Sequence, residues 1–298
     1  MSNSESSRTT PDADWDRDTT SSSGDGFFER VADRFEALRH RLELASDIIR
    51  GSPISVRPYR PATDGHLSTF EVPEGQEEVD RYWVNAPFAY VVITYDDEAS
   101  ERYYNAVEPD LDSFEWNLLE RLKTDIRAPL MYTDADASST EAALVSELSR
   151  LLETYGIEVG MRTFYALFYY LKRDFRDFGK LDPLLNDEHI EDISCDGYEL
   201  PIFVYHDDYT DIETNISFGQ QELDNFVIRL AQQSGQHISV GDPMVEATLE
   251  DGSRAELSLG REVTPRGSAF TIRQYADDPF TPIDLINYNT FSIEQMAY

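Results

Sequence analysis

The chain has 298 residues, of which 58 are acidic and 25 basic, giving a formal charge of −33. That length leaves room for about two domains and an ample core. The charge sets a repulsive field against DNA, RNA and anionic lipid, because each phosphate contact would have to overcome it.

Only three basic residues are lysines (Lys123, Lys172 and Lys180); the others are arginines. Acidic, lysine-poor composition along the whole chain predicts a cytoplasmic protein of a salt-accumulating cell. At ~1 M salt the Debye length falls to ~3 Å, which makes the self-repulsion tolerable. Cys195 is the single cysteine, which leaves no intrachain disulfide and no cysteine-based zinc site. The histidines (His40, His66, His189, His206 and His237) show no metal-ligand spacing. No apolar run reaches the ~20 residues of a membrane span, and the first 26 residues lack the apolar core of a signal peptide.

In chain order, residues 1–26 are rich in Ser, Thr, Asp and Gly and read as a disordered acidic tail. Residues 27–50 place Phe28, Val31, Phe35, Leu38, Leu42, Ala45 and Ile49 at alternating three–four spacing, an amphipathic helix. Such a seam serves either packing on its own domain or docking onto a partner. A membrane-surface role is disfavoured, because acidic residues interrupt the basic face. Residues 51–78 read as a linker.

Residues 79–133 form a small unit. Trp83–Tyr95 reads as one apolar strand with an edge or bulge at Pro87, 102–107 as its return, and 112–126 as a helix. Its many tyrosines and tryptophans fit ordinary β packing or a binding face. After a polar linker, a domain is expected over 139–280. It opens with a capping box at Ser138-x-x-Glu141 and a helix faced by Leu144, Leu148, Leu151, Leu152 and Tyr155. A second helix carries Phe164, Leu167, Phe168, Leu171, Phe175 and Phe178, with Gly179 as its stop. Strands follow at 201–206 and 211–217, then a helix over 220–234 ended by Gly235. The acidic run Asp187–Asp192 around His189 reads as a solvated helix-and-turn face, with acid–base chemistry or a metal as the sharper alternative.

The stretch Asp242–Tyr275 reads as a hairpin plus one further strand. Val245, Ala247 and Leu249 alternate toward one face, an Asp251-Gly252 turn follows, and Ala255, Leu257 and Leu259 return. Phe270 and Ile272 resume the alternation. Arg254 and Arg273 then fall on the opposite face, with Arg261 and Arg266 in the connections. Guanidinium binds phosphate oxygens bidentately, whereas the plainer reading pairs each arginine with a surface carboxylate. Strands, helix and further strands in this order indicate an α+β domain with a mostly antiparallel sheet. Thr281-Pro282 and Ser292 mark two short helix starts in a final segment, 281–298.

The runs DGSRAELSLGREVTPRGSAFTIRQYADDPFTPIDLI and LDPLLNDEHIEDISCDGYELPIFVYHDDY resemble the amino-terminal region of archaeal type II/IV secretion ATPases. These proteins drive type IV pilus and archaellum assembly, and are similar to bacterial type II secretion ATPases. The resemblance covers 139–298 well and 27–138 poorly. It implies a PAS-like α+β amino-terminal domain ahead of a RecA-like motor, with a homo-hexamer as the full-length assembly. It also implies a membrane platform protein as partner, hence a cytoplasmic place beside the membrane, and no nucleic acid. In such proteins amino-terminal arginines close over ATP held with Mg²⁺ by the motor; the matching positions are Arg254, Arg266 and Arg273, and more weakly Arg261.

No GxxxxGK[ST] loop occurs in the sequence, since Gly179-Lys180 is followed by Leu181-Asp182. The motor is therefore expected to lie outside these residues, and no cofactor is expected on this chain alone. The competing functions are a non-catalytic module docking onto a pilus or secretion platform, and a small-ligand sensor. The composition yields a direct expectation: the melting temperature rises between ~0.1 M and ~2 M potassium chloride as the charge is screened. A flat or falling curve would count against adaptation to salt.

Overall fold

The computed structural model describes residues 59–130 and 137–275, together with Ile283, Ile286, Thr290 and Ser292–Met296; the side chains of 127–130, 137–140, 294 and 296 are outside that description. The expected tail over 1–26, the helix over 27–50, the first part of the linker and the Ser138 cap fall outside the described residues, as does the Thr281-Pro282 start. The described chain forms two compact units: one comprises residues up to 100 with 105–186, the other 101–104 with 187 onward. It is α+β, with a mostly antiparallel set of strands, as the residue pattern implied.

The first unit begins with a hairpin, β1 (Gln76–Asn85) and β2 (Ala89–Asp96), paired antiparallel. The single strand expected over Trp83–Tyr95 is thus two. Pro87 lies in the turn, which closes through the Phe88 N–H donating to the Asn85 carbonyl at 2.7 Å. Six consecutive residues of β2 are buried, so the strand is covered on both faces and shows no alternation.

Three helices follow: α1 (Ser113–Leu130), α2 (Ala137–Tyr155) and α3 (Met161–Phe175). A reciprocal cap starts α1, where the Glu115 N–H donates to Asp112 and the Asp112 N–H to Glu115. On α3 every residue from Phe164 to Leu171 is buried. One continuous core joins it to Leu118, Leu119 and Leu122 of α1, to Leu144, Leu148 and Leu152 of α2, and to Phe88 of the hairpin turn. The two helices expected to open the second domain pack here instead. Their apolar faces are completed by α1 and the β1–β2 turn, which period alone does not reveal.

Polar groups inside this unit are matched. Buried Arg173 donates through Nη1 to both Glu108 oxygens, at 2.7 and 2.8 Å, and through Nε to Asp174 at 2.8 Å. Tyr169 also donates to Glu108, at 2.8 Å, and Lys123 holds the other Asp174 oxygen at 2.7 Å. The Gly179-Lys180 pair forms one 3-10 turn, Gly179–Leu181. Its successor Asp182 is 3% exposed. Burial, with Asp177 nearby adding to it, pushes the Asp182 carboxyl up to about 6.

In the second unit the start of β3 (Glu101–Val107) lies parallel to β6 (Thr210–Ser217). From β6 the order runs antiparallel through β5 (Pro201–His206), β4 (Ile190–Cys195), β9 (Ala269–Arg273), β8 (Arg254–Ser258) and β7 (Met244–Thr248). Helix α4 (Gln220–Gln233) turns Leu223, Phe226, Val227, Leu230 and Ala231 inward. Phe226 packs on Phe270 of β9, with ring centres 5.3 Å apart. Ile193, Cys195, Ile202, Val204, Ile212, Ala255, Leu257 and Ile272 share that buried side.

β4 replaces part of the solvated acidic face expected over Asp187–Asp192. A register shift between Ile190 and Asp192 puts a bulge at Glu191, so Ile190 and Ile193 both point inward although three apart. Asp187 is 2% exposed and accepts the Tyr104 hydroxyl at 2.7 Å. Near the end of the chain, Ser292 and Gln295 cap each other reciprocally ahead of the turn Ile293–Met296.

The elevated Asp182 value sets a pH dependence. Its folded-state value lies above the ordinary carboxylate value, so the fold binds that proton more tightly than the unfolded chain does. The associated stability is fully present below about pH 4 and is lost as pH rises through about 6. Asp182→Asn is therefore expected to raise stability above pH 6.5, by up to about 3 kcal/mol at roughly 1.4 kcal/mol per pKa unit. The gain should vanish below pH 4; chemical denaturation across pH 4–8 reads it directly.

Candidate functional site

The alternation from β7 to β9 places Ala255, Leu257, Phe270 and Ile272 against α4 and leaves Arg254 and Arg273 on the open face. Arg254 and Arg273 are direct cross-strand partners, a like-charge arrangement that is unfavourable by itself. Relief comes from β4, where Asp192 faces Arg273 on its other side. Arg273 Nε and Nη2 donate to the two Asp192 oxygens at 2.9 and 3.2 Å. The register row thus reads Thr248, Arg254, Arg273, Asp192, Tyr205 across five strands. For Arg273 the plainer reading, a surface ion pair, describes the contact. Arg254 makes no ion pair among the described residues.

Chain geometry divides the four arginines into two pairs. Arg254 and Ser258 are the ends of β8, so roughly 14 Å of extended strand separates the Arg254–Arg273 row from the 259–268 connection. Arg261 and Arg266 lie in that connection and are exposed. With Tyr198, Glu199, Leu200, Gln220 and Pro265 they line a cavity of about 410 Å³. Neither makes an ion pair among the described residues. A second cavity, of about 400 Å³, borders Met244, Glu246, Glu256 and Thr271. Glu246 and Glu256 are cross-strand partners there, which makes that patch anionic, two residues along β8 from Arg254 on the same sheet face.

The arginine connection is tightly clasped. Tyr198 donates its N–H to the Arg266 carbonyl at 3.1 Å, and its ring lies across Gly267. Gly267 has φ +105°, and a Cβ there would stand 1.9 Å from the Tyr198 ring. A Cβ on Gly197 would meet Arg266 at 2.6 Å. Tyr198 also donates its hydroxyl to Asp224 of α4 at 2.6 Å, and Ser268 donates to the same oxygen. The Gly260 N–H reaches the Ser268 hydroxyl at 2.8 Å. The Arg261 guanidinium lies 5.8 Å from the centre of the Tyr198 ring. None of Tyr198, Asp224 or Ser268 is marked by local sequence pattern; 26 and 44 residues separate Asp224 from its two donors.

At the other end of the hairpin, the Tyr275 N–H donates to the Ser253 hydroxyl at 3.1 Å, and the Tyr275 ring rests beside Gly252. Burial pushes the Cys195 thiol up to about 11, which keeps it protonated and unreactive. His189 and His206, consecutive in the scattered histidine set, stack with centres 5.4 Å apart. His206 Nδ1 accepts the Asp208 N–H, a packing role. Among the described residues no group of three His, Cys, Asp or Glu side chains is gathered as metal ligands, and no helix is long and apolar enough to cross a membrane.

An α+β unit that displays rigidly mounted arginines on an otherwise acidic chain is the class of protein defined so far. Residues 36–110 match the family model described as PilB3-like, N-terminal. Three uncharacterized proteins of Methanocaldococcus jannaschii are similar to the chain. MJ1288 is 33% identical over 179 residues, 59% of this chain and 71% of that protein. MJ0781 is 26% identical over 281 residues, 92% of this chain and 37% of that protein. MJ0900 is 37% identical over 131 residues, 44% and 24% respectively. The chain thus spans only about a third and a quarter of the last two. The VirB11 ATPase of the Brucella suis type IV secretion system, solved with sulphate, aligns at TM-score 0.33 and 19% identity, over 40% of this chain and 35% of that one; a likeness that slight carries no weight. The chain belongs to one family with MJ1288, and its residues 36–110 match the PilB3-like amino-terminal model. The matched model falls on 36–110, where the residue-level resemblance was poor.

The clasp generates a mutational expectation. Gly267→Ala forces a side chain into a left-handed backbone and into the Tyr198 ring, so a loss of about 1–3 kcal/mol is expected. Gly219→Ala, where a Cβ meets open space, is the control. Thermal denaturation separates the two, and equal midpoints would remove the clasp from the account.

Proposed function

We propose that this chain is the nucleotide-sensing and subunit-contacting portion of a hexameric secretion or pilus-assembly ATPase. Its arginines meet the phosphates of ATP held, with Mg²⁺, by a RecA-like motor domain. The observation that carries the reading is the presentation of Arg254, Arg261 and Arg266: exposed, on braced backbone, and without a carboxylate partner among the described residues. In a chain of charge −33 such guanidiniums stand out, because carboxylates to neutralise them abound. Arg261 and Arg266, beside the Gln220 amide, offer the planar donors that phosphate oxygens accept. Arg273, a strand's length away beside Arg254, would meet phosphate separately by exchanging Asp192 for it, which ties domain closure to nucleotide state. A platform protein at the membrane and a cytoplasmic location complete the proposal.

A second reading, a module that docks onto a pilus or secretion platform, draws on one feature of the first unit. Phe114 and Trp116 at the start of α1 are 58% and 41% exposed, and aromatic residues of this kind anchor interfaces.

The test appends a matching motor domain and measures ATPase rate beside melting temperature. Arg254→Ala and Arg273→Ala should leave the melting temperature unchanged, since both side chains point away from the core. Each should slow turnover about tenfold or more, the loss expected for a charge-assisted phosphate contact. Arg266→Ala should behave alike, with some effect on the loop itself. Wild-type turnover in these variants would leave the arginines as surface charges. The 298-residue chain alone is expected to show no magnesium-dependent turnover in high salt, as its sequence contains no phosphate loop; saturable hydrolysis would contradict the assignment.

A further inference from the structure

Of the four arginines, Arg261 and Arg266 do not depend on a strand for their placement. They sit in a ten-residue connection whose internal turn bonds are joined by a set of contacts from outside it. The Tyr198 N–H holds the Arg266 carbonyl, and the Tyr198 ring fills the space that a side chain at position 267 would need. Asp224 accepts from both Tyr198 and Ser268, so one carboxylate on α4 ties the two walls of the cavity together. The face of Tyr198 meets the Arg261 guanidinium, a contact favoured by the negative face of the ring.

We propose that Tyr198, anchored by Asp224, is the positioning residue of the 259–268 connection. It seats Arg261 on its ring and fixes Arg266 by its backbone, so that both guanidiniums face one anionic ligand in the cavity they line. The ligand class rests on the phosphate reading above; the positioning role does not. The arrangement accounts for two close approaches at once, because Gly197 and Gly267 let the Arg266 backbone and the Tyr198 ring come nearer than side chains would allow. It also gives the arginines a preset direction. Two long side chains held in place lose less entropy on meeting an anion than two free ones.

The experiment uses the 298-residue chain and the Nε–Hε NMR signals of its arginines, with Arg261→Lys and Arg266→Lys to assign the two resonances. Tripolyphosphate is the probe. In the wild type the Arg261 signal should carry a ring-current shift before any anion is added, and both signals should move together during titration. Tyr198→Leu should abolish the ring-current shift and weaken tripolyphosphate binding about tenfold. Tyr198→Phe keeps the ring, so the ring-current shift should persist; without the hydroxyl bond to Asp224, binding should fall between the other two. Asp224→Asn keeps an acceptor oxygen and should behave as wild type. An Arg261 signal indifferent to Tyr198→Leu in a folded chain overturns the proposal. So does wild-type tripolyphosphate affinity in that variant. If the wild type binds no tripolyphosphate while the ring-current pattern holds, the positioning role stands and the phosphate reading falls. Should Tyr198→Leu unfold the chain, Tyr198→Phe and Asp224→Ala decide: a wild-type Arg266 signal in both overturns the proposal.

Discussion

The bidentate contact between Arg173 and Glu108 is the constraint on which the first unit turns. A guanidinium on a helix buried all round is tolerable only when its charge is met inside the protein, since an unpaired buried charge costs several kcal/mol. Glu108 meets it with both oxygens, Tyr169 donates to the same carboxylate, and Asp174 joins Lys123 to the network. Two of the chain's three lysines, Lys123 and Lys172, are held in ion pairs on these helices. The first unit therefore treats cations as internal structure. The second unit does the reverse, and sets its arginines on an open sheet face and on a braced loop.

Where the sequence was legible, one regular period ran without interruption. The β7–β8–β9 succession could be read because Val245 to Leu249, Ala255 to Leu259 and Phe270 to Ile272 alternate strictly around an Asp-Gly turn. The helix over Gln220–Gln233 was legible for the same reason. β4 was hidden by the bulge at Glu191, which shifts the inward residues from a spacing of two to three and imitates a helical turn. The β1–β2 hairpin was hidden differently: β2 is buried on both faces, so apolar residues run on and the turn at Pro87 looks like an interruption within one strand.

The site was legible in its charges but not in its layout. Period two placed Arg254 and Arg273 correctly on the outer face, yet nothing local shows that they are cross-strand neighbours, or that Asp192 pairs with Arg273. Nor does spacing show that the other two arginines lie a strand's length away. The clasp of Tyr198, Asp224, Gly267 and Ser268 joins residues tens of positions apart, and such contacts have no periodic signature. The matched family model lies on 36–110, a stretch whose aromatic and β-rich composition fits many folds and so carries no local signature.

The seat of Tyr275 beside Gly252 fixes where the chain leaves the sheet. With its N–H on Ser253 and the preceding Gln274 N–H on the Glu191 carbonyl, the backbone departs at the Arg254–Arg273 end, remote from the 259–268 connection. Anything the polypeptide carries after residue 275 therefore starts next to that arginine row. A body continuing from that point would meet the row at the higher effective concentration, since the far pair of arginines lies roughly 14 Å of extended strand further on. The two ends of one hairpin are thus unequal in effective concentration toward anything borne on the same polypeptide.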